Sequence, residues 1–183
     1  TSFQDTPGSH KDLLKSQNWI VDYLRGPLKE KEIIEDVDKY DGIICGDDEY
    51  TENVLEKASK GQLKVLSKYG VGLDKIDLKS AKKFQIPVTN CPGINQNSVA
   101  EHVFGLLLSF FKNIHIQFNT TQSFSWERKI GSEVFGKTIG IFGFGAIGKE
   151  VARISEGFKM NVIVYDPFLK SDIKSMYPEI SFE

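Results

Sequence analysis

A glycine-rich turn in the second half of the chain carries the residue pattern with the most specific chemistry. The apolar run 138–142 leads into Gly143, Gly145 and Gly148, which are spaced as Gly-x-Gly-x-x-Gly. A helix-like segment follows at once, and a second apolar run ends at Asp166, 18 residues after the last glycine. This order of strand, glycine turn, helix, strand and acid is typical of a dinucleotide-binding βαβ unit.

The residue types in this turn match the physical needs of a bound dinucleotide. Gly143 permits the tight turn out of the strand, Gly145 lets the backbone approach a pyrophosphate, and Gly148 lets the helix pack close to the strand. The helix N-terminus supplies free N–H groups and a positive dipole to the phosphates. The predicted cofactor site comprises Gly143, Phe144, Gly145, Ala146, Ile147, Gly148 and Asp166.

Asp166 predicts which dinucleotide binds. Its carboxylate can accept both ribose hydroxyls, and its negative charge would repel a 2′-phosphate, so the sequence favours NAD over NADP. The alternative is a glycine-rich turn that binds no ligand. The complete context of strand, helix and acid favours the dinucleotide over that alternative.

The composition is that of an ordinary soluble globular protein. Of the 183 residues 40% are hydrophobic and 26% are charged, which indicates neither a disordered nor a membrane protein. The net charge is −2 and no basic block is present, so we predict no nucleic-acid partner. Cys45 and Cys91 form no C-x-x-C pattern and are typical of reduced thiols in a cytoplasmic protein. Metal-ligand spacing is absent, so we predict no metal site.

Strands and helices alternate over the first ninety residues, which predicts a parallel α/β sheet. The expected strands are 19–24, 42–45, 63–67 and 86–89, and the expected helices are 10–17, 29–40, 51–59 and 76–83. Pro87 cannot donate to a ladder and predicts an edge position for the last of these strands. Residues 1–3, which begin with Thr1, are typical of the end of a strand.

A long apolar helix follows this alternating region. Ser98 and Glu101 have capping-box spacing, and the helix that they start is apolar almost all round, so we expect it to be buried, between two domains. We place the domain boundary at Asn97. The chain ends after one βαβ unit of a Rossmann domain that normally has two halves, so we expect a fragment.

A second glycine loop, Gly70-Val71-Gly72, follows the predicted strand 63–67 at its carboxyl end. Ligands bind at that end of open α/β sheets. Two glycines around one residue let successive backbone N–H groups converge on an anion such as a carboxylate. On physical grounds alone, a strand-to-helix turn without a ligand explains the loop equally well.

The order of these motifs resembles one enzyme family. The matching segments are 68–78, 86–93, 98–102, 126–128, the turn at Gly143 and 165–167. This series resembles the D-isomer-specific 2-hydroxyacid dehydrogenases, which include phosphoglycerate dehydrogenase and glyoxylate/hydroxypyruvate reductase. The resemblance extends from about Ile43 to Pro167.

The resemblance implies a two-domain NAD-dependent oxidoreductase. A flavodoxin-like, parallel-sheet substrate domain would occupy residues 1–97, and the first half of a Rossmann NAD-binding domain would occupy residues 98–183, with the active site in the cleft between them. Gly70, Val71 and Gly72 would hold the carboxylate of a D-2-hydroxy or 2-keto acid, and Val71 would also border the nicotinamide. The resemblance further implies a homodimer formed around the helix near residues 104–111.

The resemblance places the catalytic arginine, glutamate and histidine beyond Glu183, so we assign no catalytic residue to this chain. His102 is expected to be packed and hydrogen-bonded, and residues 47–49 are expected to form a solvated acidic loop. Two alternatives stay open. One is phosphoglycerate dehydrogenase specifically, although Cys45 and Gly46 occupy a loop that often carries an arginine in phosphoglycerate-using relatives. The other is a corepressor-like scaffold that senses NAD.

Overall fold

The computed structural model describes residues 2–183, which divide into two compact units between Pro92 and Gly93. Each unit contains a three-stranded parallel sheet with helices in its connections, so the α/β class predicted from the sequence is confirmed. The division falls close to the predicted boundary at Asn97. Within residues 2–183 no helix is long and apolar enough to cross a membrane.

Unit 1, which ends at Pro92, is built on strands β1 (Gly42–Cys45), β2 (Val65–Lys68) and β3 (Val88–Thr89), in the order β1-β2-β3. Its helices are α1 (Ser2–Asp5), α2 (Ser9–Ser16), α3 (Glu30–Ile33), α4 (Glu52–Lys60) and α5 (Leu78–Lys83), with a 3-10 turn at Val37–Lys39. The core is closed by fully buried side chains on the sheet and on α4, among them Leu66 and Leu55. The edge position predicted from Pro87 is confirmed, because within residues 2–183 β3 pairs with β2 alone.

Three predictions for unit 1 are wrong. Residues 19–24 form neither strand nor helix, and Ile20 is 97% exposed, because no described strand pairs with this segment. The helix expected over 29–40 stops at Ile33, since Lys57 Nζ donates to the carbonyls of Ile34 and Glu35 and competes with continued helical bonding. Thr1 lies outside the described residues, and the residues that follow it form α1 instead of a strand.

Unit 2 begins at Gly93 and contains β4 (Thr138–Phe142), β5 (Asn161–Tyr165) and β6 (Ser181–Phe182) in the order β4-β5-β6. Its helices are α6 (Gln96–Phe111), α7 (Ile114–Gln122), α8 (Ala146–Gly157) and α9 (Ser171–Met176). Helix α6 packs against α8, which in turn packs on β4 and β5, and Phe104 stacks on Phe158 with ring centroids 5.3 Å apart. Side chains of both helices and of the sheet share one hydrophobic core.

Helix α6 differs from its prediction in two ways. It begins at Gln96 with Asn95 as the N-cap, so Ser98 lies inside the helix and the capping-box prediction is wrong. Only one face is buried in the described chain: Phe104 packs in the core, whereas Leu106 is 60% and Phe110 is 73% exposed. Helix α6 therefore has two apolar faces, and the described chain buries one of them.

Candidate functional site

The turn between β4 and α8 uses two of its glycines for its own geometry. Gly143 has φ +93°, a left-handed conformation that side chains rarely adopt, and its N–H donates to the Tyr165 carbonyl at 2.9 Å. A Cβ atom at Gly148 would lie 2.3 Å from the carbonyl oxygen of Gly143. A side chain at position 148 would therefore push α8 away from the end of β4.

Neither a backbone angle nor a close contact within the described chain requires glycine at the middle position of the turn, Gly145. Gly145 has φ −75°, which any residue can adopt, and a Cβ atom there would have no heavy atom within 4 Å. The open space next to Gly145 lies at the N-terminus of α8, where the N–H groups of Ala146 and Ile147 have no acceptor within the helix. Backbone donors and a positive helix dipole thus face a space that an anionic ligand can enter.

Asp166 joins the end of β5 to this turn. Its Oδ2 accepts the N–H of Phe144 at 2.7 Å, and its Oδ1 accepts the N–H of Phe168 at 2.9 Å. These two hydrogen bonds, the one from Phe144 first, lower the pKa of Asp166, so the carboxylate is ionised at neutral pH. Each oxygen keeps a second lone pair that can accept a ligand hydroxyl.

Phe144 contributes to the turn through packing. Its side chain is 3% exposed and lies edge-on to the rings of Tyr177 and Phe182, at 5.1 and 5.5 Å between centroids. Its N–H is bonded to Asp166. Phe144 therefore anchors the turn in the hydrophobic core, and only its backbone lies beside the space at Gly145.

The second glycine loop, after β2, presents two free backbone donors. The Gly70 carbonyl accepts the Cys91 N–H at 2.9 Å, and the Val71 carbonyl accepts Asn90 Nδ2 at 2.8 Å. Because the C=O and N–H of a trans peptide point in opposite directions, the N–H groups of Val71 and Gly72 point away from residues 90–91. Across the described chain neither N–H has an acceptor, so two successive backbone donors are available to an anion, as they are in an anion-binding nest.

The residues that orient this nest were not predicted from the sequence. Asn90 follows β3, and β3 is parallel to β2, so both segments lie at the carboxyl edge of the sheet. The sequence signal for this role was an amide residue, Asn90, directly after the predicted strand 86–89. The residues of each glycine motif are brought together in their own unit: Gly143 to Gly148 with Asp166, and Gly70 to Gly72 with Asn90.

Two further predictions are corrected by the structure. His102 lies exposed on α6, so the expected packed environment is wrong. Asp48 is buried, with its oxygens accepting the N–H groups of Leu28 and Gly46 at 2.8 Å, so residues 47–49 are not a fully solvated loop. Among residues 2–183 no group of three or more His, Cys, Asp or Glu side chains is arranged to hold a metal ion.

Comparisons with known sequences identify relatives of this chain. The family model for the D-isomer specific 2-hydroxyacid dehydrogenase, catalytic domain, matches residues 3–168. The D-3-phosphoglycerate dehydrogenase of Archaeoglobus fulgidus is 35% identical over 163 residues, which are 88% of this chain and 31% of that protein. The hydroxypyruvate reductase of Thermotoga maritima is 40% identical over 119 residues, which are 64% of this chain and 38% of that protein.

A solved structure agrees with the sequence comparison. The NAD-dependent formate dehydrogenase from Staphylococcus aureus, determined in complex with NAD, aligns with a TM-score of 0.80 and 28% identity over 96% of this chain and 53% of that one. The chain spans about a third of the length of three phosphoglycerate dehydrogenases that match 88–90% of it.

Gly148→Ala tests the packing of α8 against β4. The added methyl would overlap the Gly143 carbonyl, so we expect a loss of about 1–3 kcal/mol in the free energy of unfolding, measured by urea titration. Gly157→Ala, at the other end of the same helix, is the control, because a Cβ atom there meets nothing within 4 Å. Equal stabilities of the two variants would contradict the close approach.

Proposed function

The chain belongs to the D-isomer-specific 2-hydroxyacid dehydrogenases, and we propose that it provides the cofactor turn and the substrate-carboxylate loop of an NAD-dependent oxidoreductase. The proposed enzyme acts on the CH–OH group of a D-2-hydroxy acid, or on the corresponding 2-keto acid in the reverse direction. We propose the substrate-binding role for unit 1 and the cofactor-binding role for unit 2.

The observation that carries the cofactor proposal is the glycine at position 145. The backbone angles of Gly143 and the contact at Gly148 explain those two glycines, whereas nothing in the chain explains Gly145. A pyrophosphate lying against the backbone at Gly145 explains it, since any side chain would occupy the ligand's place. We assign the pyrophosphate to the turn from Gly143 to Gly148, with the N–H groups of Ala146 and Ile147 as donors.

Asp166 supports NAD as the dinucleotide. The bonds from Phe144 and Phe168 hold its carboxylate beside the turn with free lone pairs, which suits the two hydroxyls of a ribose. The same fixed negative charge opposes a 2′-phosphate. When bound, NAD supplies the hydride acceptor, and the residues of this chain bind and orient it.

We propose that Gly70, Val71 and Gly72 hold the substrate carboxylate. The two N–H groups of the nest are oriented by Asn90 and Cys91 before any ligand arrives, so no loop rearrangement opposes binding. A carboxylate fixed at one end leaves the adjacent C2 carbon in a defined position. We assign no general acid or base to the residues of this chain.

We further propose that the enzyme is a cytoplasmic homodimer. Burial raises the pKa of the Cys45 thiol to about 11, so this thiol stays protonated, as suits a reduced core cysteine. The apolar face of α6 that carries Leu106 and Phe110 is exposed, and unit 2 also exposes Phe124 and Trp126. An exposed apolar helix face is typical of an interface between subunits.

Gly145→Val is the direct test of cofactor binding. We expect isothermal titration calorimetry to show NAD binding to the wild-type chain and at least about a hundredfold weaker binding to the variant, because a branched side chain would fill the pyrophosphate position. Gly140→Val, in β4 with equally open space at its Cβ position, should bind NAD normally. Normal binding by Gly145→Val would show that the turn has no role in holding NAD.

Asp166→Asn tests the discrimination between the two dinucleotides. The asparagine keeps one acceptor for the Phe144 N–H but removes the charge, so we expect the NAD-to-NADP affinity ratio to fall by about tenfold or more. Titration of both dinucleotides into wild type and variant gives the ratio. An unchanged ratio would remove Asp166 from the ribose site.

Phe110→Asp tests the proposed dimer. We expect sedimentation velocity to show a dimer for the wild-type chain and a monomer for the variant, because a carboxylate on the exposed face of α6 would be desolvated in the interface. Leu13→Asp, which alters an exposed apolar residue on α2, should leave the dimer intact. A monomeric wild type would contradict the proposal.

A further inference from the structure

Three aromatic side chains pack together at the point where the Gly70 loop begins. Tyr69 follows β2 and directly precedes Gly70. The Phe3 ring of α1 lies edge-on to the Tyr69 ring, with centroids 5.1 Å apart and ring planes at 85°. The His10 ring of α2 lies 4.8 Å from the Phe3 ring, and His10 Nε2 is 3.1 Å from the Phe3 carbonyl oxygen. Helices α1 and α2 are thus packed on the residue that leads into the loop.

Both sides of this aromatic contact are anchored in unit 1. The Tyr69 N–H donates to the Cys45 carbonyl at 2.9 Å, which ties Tyr69 to the end of β1. On the other side, the Asp5 carboxylate of α1 accepts two hydrogen bonds from the Arg25 guanidinium, each at 3.0 Å. Because α1 is held at residue 25 and the Tyr69 backbone is held by β1, the Phe3 ring restricts the rotation of the Tyr69 side chain.

The Gly70 loop needs support from outside itself. Gly70 and Gly72 lack a Cβ atom, so the peptides around Val71 have many accessible conformations. Gly70 has φ +152°, a conformation that glycine adopts more readily than other residues. Residues 90–91 hold the carbonyls of Gly70 and Val71. Tyr69 holds the other end of the loop, where the chain enters it from β2.

We propose that Tyr69 is a positioning residue for the substrate carboxylate, and that Phe3 acts on the loop through the Tyr69 ring. This inference rests on the proposed function of the Gly70 loop. Without the edge-on contact, the peptides of Val71 and Gly72 would rotate more freely, and the entropic cost of ordering them would weaken carboxylate binding. Helices α1 and α2, which carry none of the proposed binding groups, therefore contribute to the affinity for the substrate.

Backbone order in the ligand-free chain tests the positioning role directly. NMR relaxation of the Val71 and Gly72 amides should give order parameters of about 0.85 in the wild-type chain and below about 0.6 in Tyr69→Leu and in Phe3→Leu. Both replaced side chains lie outside the buried core of unit 1, so the variants should stay folded. Tyr23→Leu, which replaces another exposed tyrosine of unit 1, is the matched control and should leave both amides rigid.

Titration with D-lactate, a small 2-hydroxy acid, tests the consequence for binding, with the shifts of the Val71 and Gly72 amides as the measure of affinity. We expect Tyr69→Leu and Phe3→Leu each to weaken D-lactate binding by about tenfold, since ordering the backbone of one residue costs about that factor, and to leave NAD binding unchanged. The double variant should lose no more than either single variant, because both changes act through one contact. Tyr69→Phe keeps the ring and should bind D-lactate as tightly as the wild type.

Each part of the inference has a result that would overturn it. Unchanged order parameters in Tyr69→Leu would show that the loop is rigid without the ring. Additive losses in the double variant would show that Phe3 does not act through Tyr69, and weak binding by Tyr69→Phe would assign the effect to the hydroxyl group instead of the ring. If D-lactate shifts neither amide of the wild type while NAD still binds, the substrate role of the loop fails and the positioning role fails with it. Absence of NAD binding is a separate failure, and it contradicts the proposed cofactor turn.

Discussion

The hydrogen bond between the Phe144 N–H and the Asp166 carboxylate determines the shape of the cofactor turn. It ties the residue after β5 to the residue between the first two glycines, while the Phe144 ring is held in the core against Tyr177 and Phe182. Between β4 and the fixed Phe144, Gly143 has a left-handed conformation, and α8 starts two residues later at Ala146. The space at Gly145 is a consequence of these constraints.

The loop after β2 is shaped by a comparable use of backbone hydrogen bonds. There the carbonyls of Gly70 and Val71 are bonded to the segment after β3, and this leaves the N–H groups of the next peptides free on the opposite side. In both loops backbone carbonyls are hydrogen-bonded within the chain, and backbone N–H groups stay available to an anion. Neither loop has to reorganise when a ligand binds, which lowers the entropic cost of binding.

The sequence predicted the parts of the structure that depend on local pattern. Strand β1 has the predicted bounds, the helix predicted over 51–59 forms as α4 with Thr51 as its N-cap, and the glycine turn lies between a strand and a helix. The failures occurred where distant residues decide the outcome. Lys57 ends α3 from a different helix, and the segment 19–24 stays unpaired although its composition is typical of a strand. No local pattern contains that information.

In the candidate sites too, the residues with a local sequence pattern were predicted and those that depend on distant residues were not. The glycines and Asp166 were found from the sequence because their spacing carries a known mechanism. Asn90 was not found, since its role depends on which strands are neighbours. The sequence predicts a single solvated acidic run over residues 47–49, whereas in the structure Asp48 is buried and Asp47 is exposed.

Selectivity at the proposed cofactor turn follows from one electrostatic arrangement. Backbone N–H groups bind anions without distinguishing among them, so discrimination has to come from a fixed charge nearby. Asp166 stands beside the glycine turn, and it is ionised at neutral pH because hydrogen bonds from the N–H groups of Phe144 and Phe168 lower its pKa. In the proposed cofactor site the backbone N–H groups donate to the pyrophosphate, and the adjacent Asp166 carboxylate opposes a further phosphate. This arrangement would disfavour a 2′-phosphate on the dinucleotide.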